Sequence, residues 1–140
     1  MTAGAFVLDA SAAAAAFLPD ETSLEKDVLI RASASQGILV PDLFWHELRN
    51  VLLLAERKGR TQPGFAENTL RDVHGLNPVV APPLGSDAVF DTARRYDLTA
   101  YDAAYARLAI ETERPLATLD KDLLRLGAAG VLTLWSPPAQ

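Results

Sequence analysis

Residues 6–11 read FVLDAS. Three apolar residues suited to a buried strand run straight into Asp9, and the alanine-rich stretch behind it has the composition of a helix. Short apolar runs rich in branched residues occur at 5–8 (AFVL), 37–40 (GILV), 78–80 (PVV), 116–119 (LATL) and 131–134 (VLTL). Between them, helical periodicity predicts helices over about 11–18, 22–35, 43–58, 64–73, 86–96, 100–113 and 121–126. Pro41, Pro63, Pro78 and the pair Pro82–Pro83 fall between these elements, as chain breakers should. Strands alternating with helices predict one α/β domain over residues 1–135, with a mainly parallel sheet covered on both faces. SPPAQ, at 136–140, reads as a flexible tail. In open sheets of this kind, sites form beyond the carboxyl ends of the strands, so a carboxylate at that position invites a functional question.

Bulk composition narrows the answers. The 140 residues suit a single domain, and 49% apolar with 22% charged content places the chain among globular proteins rather than disordered ones. No apolar run approaches the roughly 18 to 20 residues of a bilayer span, and the N-terminus lacks the basic start of a signal peptide. The absence of cysteine removes disulfides and thiolate metal sites and suits a cytoplasmic protein. His46 and His74 are too few and too far apart for a zinc site. A net charge of −5 argues against a general basic coat for nucleic acid but leaves room for a local patch.

Four acids stand out beside a fifth. Asp9 follows the first strand, Asp120 follows LATL, Asp122 lies two residues further on, and Asp102 opens the helix TAYDAAYARLAI. Each has an ordinary explanation. Asp9 and Asp120 are good helix caps, although Ser11 competes for the cap beside Asp9, and Asp102 fits a capping box with Thr99. Glu47 has less excuse. On a helical wheel it falls within the apolar arc of Phe44, Leu48, Val51, Leu54 and Ala55, where a lone charge is costly unless it is paired or ligates a metal. A convergence of these acids would demand a counter-ion. With neither thiolate nor clustered imidazole available, the counter-ion would be a hard, oxygen-seeking Mg²⁺ or Mn²⁺.

VLDAS at 7–11, E-x-x-N at Glu47 to Asn50, LTAYDAAY at 98–105 and ATLDKDL at 117–123 occur together in one order. That ordered set resembles the PIN-domain ribonucleases, in particular the small VapC-type toxins, over nearly the whole chain. The resemblance implies a three-layer α/β/α sandwich and an acidic cluster at Asp9, Glu47, Asp102 and Asp120 that would be both catalytic and metal-binding. Asp122 is an additional acid of the same kind, and Ser11, Asn50 and Thr118 are supporting polar positions. It further implies Mg²⁺- or Mn²⁺-dependent cleavage of structured RNA by a metal-activated water, leaving a 5′-phosphate. A homodimer and a cognate antitoxin, one that places a basic side chain in the acidic pocket, belong to the same picture.

Cations for a polyanionic substrate are available at Arg49, Arg57, Lys58 and Arg60, and at Arg94, Arg95, Lys121 and Arg125. The cluster around AERKGR fits equally well as a solvated helix end. His46 reads as a surface residue, His74 as part of a helix end, and Trp45 and Trp135 as packing residues. The rival reading is a non-catalytic binding or assembly module, in which the acids are only caps and ion pairs. A phospho-accepting aspartate is disfavoured, because residue 11 is Ser where such sites place a second acid.

Overall fold

The computed structural model describes residues 4–138. Along the chain run β1 (Phe6–Leu8), α1 (Ala10–Phe17), α2 (Lys26–Gln36), β2 (Ile38–Val40), α3 (Phe44–Arg57), α4 (Phe65–Gly75), β3 (Val79–Val80), α5 (Ser86–Tyr96), α6 (Ala100–Thr112), β4 (Leu116–Ala117) and α7 (Lys121–Ala128). The strands form one parallel sheet in the order β3-β2-β1-β4. Every residue of β1 and β2 is buried and apolar, as strands covered on both faces require. Val7 pairs with Leu39 on one side and Leu116 on the other, so β1 is the centre of the fold.

The helices fall into two groups by contact. α1 packs on α2, α3 and α4, whereas α6 packs on α5 and α7 and lies against β1 and β4. The alanines of α1 let it sit close: Ala10, Ala12, Ala13, Ala14, Ala15 and Ala16 are all buried. The chain leaves β1 for β2 and β3 on one side, then returns to place β4 on the other. That reversal opens a crevice at the carboxyl ends of β1 and β4, where Asp9 and Asp120 stand. No helix among the described residues is long and apolar enough to cross a membrane.

Three expected elements differ in extent. α2 begins at Lys26 rather than near residue 22, because Glu21 folds the preceding segment. Its Oε1 accepts from the Thr22 and Ser23 amides, each at 2.9 Å, and from Ser23 Oγ at 2.7 Å, a local turn that competes with helix. β4 ends at Ala117 instead of 119, since Thr118 turns its hydroxyl to Asp9. The strand expected at 131–134 is reduced to one parallel bridge between Leu116 and Leu134. Trp135 secures that segment by stacking on Phe6 at 4.5 Å and donating from Nε1 to Gln36 Oε1 at 3.1 Å. Of the tail expected at 136–140, residues 139 and 140 lie outside the described ones.

Candidate functional site

Asp9 is 3% exposed and saturated with donors. Oδ1 accepts from the Ala12 amide at 2.9 Å, capping α1, and from Ser11 Oγ at 2.7 Å; Oδ2 accepts from Thr118 Oγ1. Asp9, and not Ser11, is therefore the cap. Ser11 Oγ instead accepts from the Leu119 amide at 3.2 Å and sews the end of β1 to the segment after β4. Thr118 Oγ1 accepts from the Asp120 amide at 3.0 Å, and Asp120 Oδ1 accepts from the Asp122 and Leu123 amides at 2.9 and 3.2 Å, capping α7. One chain of bonds thus links Asp9 to Asp120.

Asp102 enters from α6. Thr99 Oγ1 accepts from the Asp102 amide at 3.1 Å, as expected of a cap, while the Asp102 carboxyl lies with those of Asp120 and Asp122. One oxygen from each of these three carboxyls lies within 4.8 Å of the other two. Glu47 approaches from α3, whose buried stripe is Phe44, Leu48, Leu52 and Ala55. Leu54, expected in that stripe, is 41% exposed; the stripe runs past Leu52, and Glu47 is half-buried on its flank. Asn50 is exposed on α3. The sequence-predicted acids thus meet as a close trio of Asp102, Asp120 and Asp122, with Asp9 and Glu47 near enough to perturb Asp102.

Burial dominates the electrostatics. It pushes the Asp9 carboxyl up to about 6 against the pull of its Thr118, Ser11 and Ala12 bonds, and the Asp120 charge adds a smaller push. Asp102 is pushed up to about 7, first by burial and then by Asp120, Glu47 and Asp9. Glu47 is raised by burial, lowered by the neighbouring Tyr105 hydroxyl and raised again by Asp120. Asp9 caps α1, Asp120 caps α7, and Glu47 and Asp102 stand in the first turns of α3 and α6. Four positive helix ends thus face the acids, yet desolvation still prevails at Asp9 and Asp102.

This donor set fits a hard divalent cation. Every group offered is a carboxylate or hydroxyl oxygen, and the charge is concentrated where burial makes it costly. The buried Tyr105 hydroxyl beside Glu47 has no hydrogen-bond partner of good geometry. Tyr105 is the neighbour of the acids to which sequence reasoning gave no role, although it closes the motif LTAYDAAY three residues after Asp102, on the same helix face. A cavity of about 590 Å³ opens elsewhere, beside Gly37, Ile38, Gly75 and Val79, and its lining carries no titratable group.

The cations are partly spoken for. Arg60 holds Asp20 through two bonds of 3.0 and 2.8 Å, and Arg125 donates to the Tyr96 carbonyl at 3.1 Å and lies 3.6 Å from Asp122. His46 is exposed and 3.0 Å from Arg49, and His74 stacks on Trp45 at 3.8 Å.

Comparison with known proteins agrees with this architecture. The family model described as PIN domain matches residues 6–129. Ribonuclease VapC3 from Pyrobaculum aerophilum is 33% identical over 126 residues, spanning 84% of this chain and 90% of its own. The crystal structure of PAE2754 from Pyrobaculum aerophilum has a TM-score of 0.69 at 26% identity, covering 86% of this chain and 82% of that one. The expected α/β/α sandwich is borne out.

Proposed function

The chain is a member of the PIN domain family, and on that premise we propose that it is a Mg²⁺- or Mn²⁺-dependent endoribonuclease, the toxin of a toxin–antitoxin pair. The observation that carries this reading is the meeting of Asp102, Asp120 and Asp122 beside buried Asp9, at the crevice where the sheet order reverses. The 33% identity to a protein named Ribonuclease VapC3 supports the same choice of substrate class.

Asp102, Asp120 and Asp122 would hold the cation, with Asp9 and Glu47 as further carboxylate ligands. What the cation supplies when bound is a water acidified toward neutrality and charge to offset the phosphodiester. Asp9 is oriented by Ser11, Ala12 and Thr118, so its carboxylate enters the pocket in one fixed attitude. The same acids repel a bare phosphate backbone, which favours recognition of a folded RNA feature over unselective coating. An antitoxin that silences the site would offer a basic side chain to the acid cluster, and the working form would be a cytoplasmic homodimer.

Capping and catalysis are separable by substitution, because Asn caps a helix about as well as Asp but carries no charge. Asp9→Asn should lower Mg²⁺- or Mn²⁺-dependent cleavage of structured RNA by at least about 100-fold, the scale of a lost catalytic group. Its circular dichroism should match that of the parent. Unimpaired cleavage by the substituted protein would remove Asp9 from the catalytic set, and a parent that cleaves no RNA would return the acids to the role of caps in a non-catalytic module.

A further inference from the structure

We infer that Tyr105 is a positioning residue that holds the Glu47 carboxylate toward the cation. This rests on the metal-binding reading above and adds to it a residue outside the acid cluster. Tyr105 is 1% exposed and stands on α6, whose Ala103, Ala104 and Ala106 are buried too. Its hydroxyl borders the Glu47 carboxyl and the Ala10 amide, yet forms a well-made hydrogen bond with neither. Buried hydroxyls without partners are rare, because each has given up water for nothing. Phenylalanine would fill the same space without that cost, so the hydroxyl calls for a use.

Glu47 supplies one. It reaches the site from α3, on a longer and more flexible side chain than the aspartates, and its half-buried position disfavours the charge that ligation requires. A small swing toward Tyr105 lets one carboxylate oxygen accept from the hydroxyl and leaves the other for the cation. The ring is fixed by burial, so the direction of that bond is set by the fold. Groups that hold metal ligands in this way contribute about 10- to 100-fold to metal affinity.

Isothermal titration with MnCl₂ of the parent, Tyr105→Phe, Glu47→Gln and the double variant tests the inference. Tyr105→Phe should bind Mn²⁺ about 10- to 100-fold more weakly. Without metal it should melt no lower than the parent, because the hydroxyl it loses forms no well-made hydrogen bond there. In the Glu47→Gln background the same substitution should change affinity by less than about 2-fold, a coupling that a merely structural tyrosine would not show. If the parent binds Mn²⁺ and Tyr105→Phe binds as tightly, or loses as much in the Glu47→Gln background, the inference is overturned while the metal reading stands. A parent that takes up no Mn²⁺ overturns both.

Discussion

At the scale of single residues, the Asp9 carboxyl group meets two opposing demands. Its three hydrogen bonds favour the charged form, while nearly complete burial favours the neutral one, and burial prevails, lifting it from an ordinary 3.8 to about 6. A carboxyl raised on folding keeps its proton longer in the folded chain. Its contribution to stability is full below about pH 4 and is lost as pH climbs through about 6. A shift of that size corresponds to roughly 3 kcal/mol. Asp102, raised to about 7, acts in the same direction, though its half-exposed position screens the effect. Urea unfolding of the metal-free protein should therefore show stability falling by roughly 3 kcal/mol between about pH 4 and pH 7.5, and Asp9→Asn should flatten much of that slope. Stability that rises across this window would mean that Asp9 is not held as described. Glu47 was legible from its place among apolar residues, even though Leu54 proved exposed. Tyr105 closes the motif LTAYDAAY, but a role for it was not legible, because a tyrosine in an alanine-rich helix reads as ordinary core.

At the scale of elements, the site is assembled by helix starts. Thr99 caps α6 and thereby fixes the turn that carries Asp102. Thr99→Ala should cost about 1 kcal/mol in chemical denaturation, the usual worth of such a cap, and should weaken metal binding in step. A fully stable variant would place the start of α6 under other control. Element types were readable because apolar runs and helical periodicity agree with the breakers between them. Boundaries were less so wherever a side chain took over from the backbone pattern. Glu21 delays α2, and Thr118 leaves β4 early to bond Asp9, a contact between residues 109 positions apart. The last expected strand shrank to a single bridge at Leu134, in a segment that Pro137 and Pro138 soon follow.

At the scale of the whole molecule, the ordered motifs pointed to one pocket, but no residue pattern by itself states that positions 9, 102, 120 and 122 meet. Their meeting follows from strand order. β4 joins β1 on the side opposite β2, which brings the loop after Ala117 against the loop after Leu8 and lets α6 lie across both strands. Gathering five of the chain's eighteen acids at one crevice costs stability that a bound cation would offset. The most direct measurement is anomalous diffraction at the manganese edge from crystals grown with MnCl₂. The expected result is a strong peak between the carboxyls of Asp102 and Asp120, with Asp122, Asp9 and Glu47 around it. Peaks confined to acids elsewhere on the surface, with none in this crevice, would contradict the account.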